Sequence, residues 1–336
     1  MAADRRLVAV EQPPSAPAAG QALLEVAYCG ICGSDLHFRD VPELFPAGTV
    51  PGHELSARIV ALGDGLTSWH VGDRVTVLPF GQCGECELCR DGEEQVCPHA
   101  IPNGVGLGTG RPGAYAEQVI VDGRMLFALP DSVDDRAGAL AEPLAVAVRA
   151  VEQSGLSSDQ PAAVLGAGAI GMLTALVLAD RGFEQVVLVS RNPARAQLAV
   201  KLGLNAVSLD DVGAAQAPAC VFECAGTPAA ARLALELVRP LGRVMLVGVS
   251  LEPLDLAAPA LLFKEVELHG VLSYSRANFA AAIEMLAQGR IPVEALITAT
   301  VPLEDAEAMF QTLSARTNPH LKVLLDPHER AAPATA

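Results

Sequence analysis

The feature that most constrains the fold is a glycine-rich turn between an apolar strand-like segment and an apolar helix-like segment. The turn Gly166–Gly171 (Gly-Ala-Gly-Ala-Ile-Gly) follows Val164–Leu165 and leads into the helical pattern Ala169–Ala179. Gly166 permits a tight turn, Gly168 leaves the backbone open to a ligand, and the last glycine lets the helix pack closely on the strand. The pattern therefore predicts a strand–turn–helix unit of the kind found in parallel sheets.

The rest of the chain shows two different patterns of apolar segments, which predict two domains. Between about residues 143 and 275, short apolar segments alternate with helical patterns, as in a doubly wound parallel sheet. Between about residues 20 and 130, short apolar runs are separated by Gly, Pro and Asp, as in a β-rich, barrel-like domain. After about residue 276, helical patterns at Phe279–Ala287 and Leu303–Leu313 precede a final strand, Leu321–Leu325. We therefore expect an α/β protein.

The glycine turn is also a candidate dinucleotide site. A helix N-terminus offers free N–H groups and the positive end of the helix dipole, which together suit a pyrophosphate. The candidate cofactor-binding residues in the turn are Gly166, Gly168, Ala169, Ile170 and Gly171. A turn with a purely structural role is the alternative.

The next predicted strand, Val186–Val189, bears on the choice of cofactor. An NAD site usually ends this strand with Asp or Glu, whose carboxylate binds the ribose 2′-hydroxyl. Here Ser190 follows the strand, and Arg191 and Arg195 offer positive charge to a 2′-phosphate. The sequence therefore predicts that NADP is preferred over NAD and that these three residues contact it. A solvated surface position for Arg191 is the alternative.

Four of the eight cysteines lie close together: Cys83, Cys86, Cys89 and Cys97. In a cytosolic chain, clustered cysteines favour a metal ion over disulfides. Four thiolates fill a tetrahedral zinc site and leave no open position for chemistry. We therefore expect a structural zinc ion here, with an iron–sulfur cluster or four reduced thiols as alternatives.

A second set of metal-binding side chains is spread along the chain: Cys32, His53, Glu54 and Glu142. One thiolate, one imidazole and one or two carboxylates can form a catalytic zinc site with an exchangeable position. Each residue also has a structural explanation, such as a core cysteine or a hydrogen-bonded histidine. The residue types alone do not bring them together in space.

These motifs, in their order, resemble those of the zinc-containing medium-chain dehydrogenases, most closely the polyol branch. The matching strings are Gly30–His37, Pro51–Glu54, the cysteine loop, Glu142–Ala147 and the glycine turn. The resemblance extends over nearly the whole chain. It implies that Cys32 and His53 bind a catalytic zinc ion, that Glu54, Glu142 or water completes the site, and that each chain holds two zinc ions.

The resemblance also implies an architecture. We expect a GroES-like catalytic domain at 1–142 and 276–336, and a Rossmann dinucleotide-binding domain at 143–275, with the active site in the cleft between them. The predicted strand Val266–Leu272 would lie at a sheet edge, where dimers of this family pair. A homodimer or homotetramer is therefore expected.

The activity implied is hydride transfer between NAD(P) and a secondary alcohol such as a polyol or cyclitol, or the matching ketone. Zinc would polarise the substrate oxygen. Ser34 would take the alcohol proton, and His37 with the cofactor ribose would pass it outward, because imidazole exchanges protons near neutral pH. A surface histidine with no such role is the alternative for His37.

Composition limits the partners. The formal charge of −16 and the pI of about 4.8 argue against nucleic acid, because such a surface repels phosphate backbones. The apolar runs are too short to span a membrane, so we expect a cytoplasmic protein acting on a small molecule.

Two rival functions remain at this point. A zinc-independent quinone or enoyl reductase on the same fold should lack Cys32, His53 and the cysteine loop, and all are present. A non-catalytic zinc-binding interaction protein leaves the glycine turn unexplained.

Overall fold

A computed structural model describes residues 1–12, 15–108, 110–212, 217–315 and 318–330. The strands are β1 (Gln21–Gly30), β2 (Glu54–Leu62), β3 (Arg74–Val77), β4 (Gln118–Asp122), β5 (Leu126–Ala128), β6 (Ala162–Leu165), β7 (Val186–Ser190), β8 (Ala206–Ser208), β9 (Cys220–Glu223), β10 (Arg243–Leu246), β11 (Glu267–Gly270), β12 (Ile297–Pro302) and β13 (Lys322–Asp326). The helices are α1 (Gly33–Phe38), α2 (Glu87–Arg90), α3 (Asp135–Gly138), α4 (Ala141–Gln153), α5 (Ala169–Asp180), α6 (Pro193–Lys201), α7 (Pro228–Leu237), α8 (Ala258–Lys264), α9 (Arg276–Ala287), α10 (Val293–Leu296) and α11 (Ala306–Ser314). No helix within these ranges combines the length and apolarity needed to cross a bilayer.

The chain divides into two compact units. Unit 1 consists of Met1–Glu142, Ser275–Gly289 and Val293–Ala336, and unit 2 of Pro143–Tyr274 and Arg290–Pro292.

Unit 1 is built on a seven-stranded sheet in the order β12-β13-β1-β2-β3-β5, with β4 also paired to β1. The pairs are antiparallel except β12 with β13. Strand β1 has irregularities in its pairing with β2, at Leu23/Leu24 and between Val26 and Tyr28. Bulges of this kind bend a strand and increase its twist, and β1 pairs with three different strands along its length. Its inward residues, among them Leu24, join the buried core with Phe310 of α11.

Unit 2 is built on six parallel strands in the order β11-β10-β9-β6-β7-β8. All four residues of β6 and of β9 are buried. Continuous burial, rather than alternation, is typical of a parallel sheet covered on both faces. Strand β11 forms one edge of the sheet.

The predicted fold class, α/β with a parallel-sheet domain and a β-rich domain, is confirmed. Several element bounds differ. Helix α4 is not among the helices predicted from the sequence; most of its residues are buried, and the more accessible ones include Arg149, Glu152 and Gln153. The helix predicted from Leu303 starts as a 3₁₀ turn, Leu303–Asp305, before α11, as helix N-termini often do. The edge strand β11 is shorter than the predicted Val266–Leu272.

Candidate functional site

The four cysteines of the predicted structural site converge in unit 1. Their sulfur atoms all lie within 4.8 Å of one another. The Sγ atom of Cys83 is 3.9 Å from that of Cys89 and 3.7 Å from that of Cys97. Tetrahedral coordination with Zn–S bonds of about 2.3 Å places sulfurs about 3.8 Å apart. The sulfurs therefore have the spacing that a zinc ion requires, and none is in a disulfide.

The loop makes two of these thiols chemically different. Backbone N–H groups of Glu85 and Cys86 donate to the sulfur of Cys83 and lower its pKa to about 6. Burial raises the pKa of Cys89 to about 12. Because the thiolate is the form that binds metal, Cys83 offers a negative ligand near neutral pH even before an ion arrives.

The second cluster comprises Cys32, His53 and Glu54, whose ligand atoms also lie within 4.8 Å of one another. Antiparallel pairing explains this, because Gly30 at the end of β1 is opposite Glu54 at the start of β2. The residues just beyond these ends, Cys32 and His53, are thereby brought together. A Cβ at position 30 would overlap the carboxylate of Glu54, so the approach requires glycine.

The donor set of this cluster fits a catalytic zinc ion. A thiolate, an imidazole and a carboxylate are ligands that zinc accepts, and three protein ligands leave a fourth position for substrate. His53 and Glu54 are buried and Cys32 is half-buried, so the cluster has limited access to water.

A buried carboxylate lies behind His53. The Nδ1 atom of His53 is 3.6 Å from Oδ1 of Asp35, which leaves Nε2 as the nitrogen for a metal ion. Oδ2 of Asp35 accepts hydrogen bonds from the Tyr115 hydroxyl at 2.8 Å and the Cys32 N–H at 3.1 Å. Burial alone lowers the pKa of His53, but the charges of Asp35 and then Cys32 outweigh it and hold the pKa well above its usual value.

Glu54 is paired with a buried lysine. Nζ of Lys322, on β13, donates to both carboxylate oxygens of Glu54, at 2.7 and 2.6 Å, and to the carbonyl of Ile31 at 3.1 Å. Burial lowers the pKa of Lys322, but the Glu54 carboxylate outweighs this and keeps the pKa raised. The ion pair therefore holds the carboxyl group of Glu54 beside Cys32 and His53.

The other predicted residues of this site are Glu142, Ser34 and His37. Glu142 is buried near the start of α4, and its charge helps to raise the pKa values of His53 and Lys322. Its carboxylate is not among the three ligand groups that cluster within the described residues. Ser34 is half-buried in α1, and His37 is exposed near the end of the same helix.

The glycine turn of unit 2 has the predicted form. Gly166 has a φ of +102°, and a Cβ at Gly171 would overlap the carbonyl oxygen of Gly166. Gly168 is the N-cap of α5, and a Cβ there would meet no atom within 4 Å. Ala169 and Ile170 form the first turn of α5. The turn thus presents an open helix N-terminus, which fits the pyrophosphate of a dinucleotide.

The residues after β7 are arranged partly as expected. Arg191 is exposed and available to a phosphate, whereas Arg195 in α6 is about half-buried. Ser190 is buried, and its hydroxyl donates to the carbonyl of Asn192 at 3.0 Å and accepts from the Asn192 N–H at 3.1 Å. Its hydroxyl is therefore engaged in the local turn rather than directed at a ligand.

Sequence reasoning missed Asp35, Tyr115 and Lys322. Asp35 lies three residues after Cys32 in the Gly30–His37 motif, so its acidic character was a visible signal. Tyr115 and Lys322 are far away in the chain, and nothing in their local pattern marks them.

Comparisons with known proteins agree with this geometry. Residues 18–131 match the model of the alcohol dehydrogenase GroES-like domain, and residues 169–288 match that of zinc-binding dehydrogenases. The chain is 34% identical to 2-dehydro-3-deoxy-L-galactonate 5-dehydrogenase from Pseudoalteromonas atlantica, over 94% of each chain. An alcohol dehydrogenase from Escherichia coli CFT073, solved with NADH, has a TM-score of 0.86 and 27% identity over 94% of this chain and 95% of its own. A zinc-binding dehydrogenase from Sinorhizobium meliloti, bound to NADP, has a TM-score of 0.83 and 28% identity over 95% and 94%.

Two family models together match more than half of the chain, and the first relative is similar over nearly its full length. The resemblance drawn from the motifs is confirmed, and a non-catalytic interaction protein is excluded. The chain belongs to the zinc-dependent medium-chain alcohol dehydrogenase family, whose members are oxidoreductases that act on CH–OH donors.

Proposed function

We propose that this protein binds two zinc ions per chain and transfers a hydride between a sugar-derived secondary alcohol and NADP. The observation that carries the proposal is the convergence of Cys32, His53 and Glu54 within 4.8 Å beside a buried carboxylate. The relative that acts on a deoxygalactonate supports a polyol or sugar acid as the substrate class. We further propose a cytoplasmic location.

The division of roles follows from the two units. The bounds of unit 1 support a GroES-like catalytic domain at 1–142 and 276–336. Those of unit 2 support a Rossmann domain at 143–275. The turn Gly166–Gly171 belongs to unit 2 and binds the cofactor pyrophosphate.

Each residue of the catalytic site has a distinct task. Cys32 and His53 hold the catalytic ion, with Glu54, Glu142 or water as the remaining ligand. When bound, zinc supplies Lewis acidity that makes the substrate hydroxyl easier to deprotonate. Ser34 relays the hydroxyl proton, giving up its own proton as it receives the substrate's, and exposed His37 passes the proton to solvent with the help of the cofactor ribose.

The zinc-independent reductase is the weaker candidate. Such an enzyme has no use for a thiolate, an imidazole and a carboxylate held together in a largely buried site. Lys322 already pairs with Glu54, but each further buried ion without a partner loses several kcal/mol of solvation.

The first prediction concerns metal content. Elemental analysis of protein expressed with ample zinc should give two ions per chain. Cys89→Ser opens the structural site, so the melting temperature should fall by roughly 5–10 °C while the catalytic ion is kept. Cys32→Ser should retain the structural ion and lose turnover. One zinc ion or none in the wild type, or a Cys89→Ser variant with normal stability and no turnover, would contradict this division.

The second prediction tests the catalytic ligand and the activity together. Wild-type protein should reduce NADP with one or more members of a panel of polyols, sugar acids, cyclitols and simple secondary alcohols. His53→Ala should lower kcat/KM by at least about 1,000-fold, equivalent to about 4 kcal/mol of transition-state stabilisation. Cofactor affinity, measured by fluorescence titration, should stay within about two-fold, because the glycine turn lies in the other unit.

The matched control is His70→Ala, because the His70 side chain is 81% exposed in unit 1. It should behave like the wild type. Loss of cofactor binding together with turnover in His53→Ala would instead assign His53 to the folding of the chain.

The cofactor preference rests on the end of β7. Ser190 puts no carboxylate where a 2′-phosphate would sit, and Arg191 is exposed beside it. A charge-assisted pair is worth roughly 1.5–3 kcal/mol, which is about 10- to 100-fold in affinity. The net charge of −16 opposes an added phosphate, but salt screens distant charges beyond about 8–10 Å. Arg195, in the first turn of α6, is a second positive group close by in the chain.

The third prediction is therefore a kcat/KM at least about ten-fold higher with NADP than with NAD. The variant Ser190→Asp/Arg191→Ala should reverse this preference, because an added carboxylate repels the phosphate. Arg232→Ala, which removes an exposed arginine from α7, is the control and should leave the ratio unchanged. A wild type that uses NAD better than NADP would disprove the assignment, whatever the variant does.

A dimer is supported by the surface of unit 2. The edge strand β11 carries Leu268, 40% exposed, and the preceding helix α8 carries Leu262 and Phe263, 72% and 88% exposed. An exposed strand edge has unpaired backbone groups, and large exposed apolar side chains favour burial. Both features suit pairing with a second copy across a two-fold axis.

The fourth prediction is that the protein sediments as a homodimer or a homotetramer at micromolar concentration. Phe263→Glu should weaken the dimer at least ten-fold, because it places a charge in the contact. Val200→Glu, at an exposed position of α6, should leave assembly unchanged. A monomeric wild type would contradict the proposal.

A further inference from the structure

The carboxylate of Asp35 is hydrogen-bonded on one side only. Its Oδ2 atom accepts both the Tyr115 hydroxyl and the Cys32 N–H. Its Oδ1 atom and Nδ1 of His53 are both buried, and within the described ranges neither has a hydrogen-bond partner. These two atoms face each other at 3.6 Å. The two donors on Oδ2 therefore determine which way Oδ1 points, and Oδ1 points at the imidazole.

The ring of Tyr115 is fixed by its surroundings. Its backbone N–H donates to the carbonyl of Pro51 at 3.0 Å, and the ring packs edge-on against Phe310 with centroids 6.0 Å apart. Gly52 has a φ of +103°, and a Cβ there would overlap the ring. Since Gly52 directly precedes His53, the turn that positions the histidine also packs against the ring of Tyr115.

The hydroxyl of Tyr115 is suited to act as a permanent donor. Burial and the neighbouring Asp35 carboxylate keep the pKa of Tyr115 well above its usual value. The phenol therefore stays protonated near neutral pH, and its O–H donates to Oδ2 of Asp35.

We propose that Tyr115 is a positioning residue for the metal ligand His53: through Asp35, its hydroxyl fixes the orientation in which the imidazole is presented to the catalytic ion. The inference rests on the proposed function, because it requires an ion at Cys32 and His53. Without the phenol, Oδ2 keeps a single donor and the carboxylate can rotate away from the imidazole. Loss of such an outer partner of a metal ligand typically costs 10- to 100-fold in metal affinity.

The test is zinc release from the holoenzyme to the chelator dipicolinate, followed as metal per chain over time. Two phases are expected in the wild type, one for each site, and the phase missing in Cys32→Ser identifies the catalytic ion. Tyr115→Phe should speed the catalytic phase at least about ten-fold and leave the structural phase unchanged. Tyr28→Phe, which removes a hydroxyl from a half-buried tyrosine on β1, is the matched control and should release both ions at wild-type rates.

A double variant separates positioning from packing. If the hydroxyl acts through Asp35, then adding Tyr115→Phe to Asp35→Ala should change the catalytic phase less than two-fold. In the single variant Tyr115→Phe, kcat should fall while KM for the cofactor stays constant, because the cofactor turn lies in unit 2.

The outcomes are distinct. An unchanged catalytic phase in Tyr115→Phe overturns the inference and leaves the proposed function intact. Equal acceleration of both phases with a lower melting temperature also overturns it, because Tyr115 would then only stabilise the fold. A wild type with no zinc at Cys32 and His53 overturns the proposed function, and this inference with it.

Discussion

The structure of unit 1 depends on how it buries negative charge. Around His53 lie the thiol of Cys32 and the carboxyl groups of Asp35, Glu54 and Glu142, and these carboxyl groups are nearly inaccessible to water. Removing an ion from water costs several kcal/mol unless an opposite charge and hydrogen bonds replace the lost solvation. Lys322 provides one positive charge, through two hydrogen bonds to Glu54. Under the proposed function, a divalent ion bound by Cys32 and His53 would provide further positive charge.

The backbone is arranged so that these groups can meet. The register of β1 and β2 sets Gly30 opposite Glu54, and the residues just beyond the paired ends, Cys32 and His53, join Glu54 in a cluster that could hold a metal ion. Two glycines make the approach possible, because a side chain at Gly30 would strike Glu54 and one at Gly52 would strike Tyr115. The geometry of the site therefore depends on strand pairing and on the two glycines as much as on the side chains that could bind a metal ion.

What the sequence predicted, and what it did not, follows from distance along the chain. The cysteine loop and the glycine turn are local motifs, so their residue types and spacing are enough to predict their geometry. The pair Asp35–Tyr115 spans 80 residues and the pair Glu54–Lys322 spans 268, and no local pattern records a contact of that range. The hydroxyl of Ser190 shows the opposite limit, because its residue type suggested a ligand contact and its own turn engages it instead. Glu54 and Glu142 were equivalent in the sequence, and the described structure gathers only Glu54 with Cys32 and His53.

The 268-residue separation of Glu54 and Lys322 has a consequence for synthesis. A ribosome adds about 5–20 residues per second, so Lys322 is made roughly 13–54 s after Glu54. During that interval β1 lacks its partner β13, and the Glu54 carboxylate lacks Lys322, the cation with which it pairs in the folded protein. The continuous segment Pro143–Tyr274 of unit 2 is completed in the meantime and can fold as it emerges. Between the end of β11 and Lys322, the nascent chain has all six strands of unit 2 while the sheet of unit 1 is still open at β1, and an unpaired strand edge is a site where a chaperone can prevent wrong pairing.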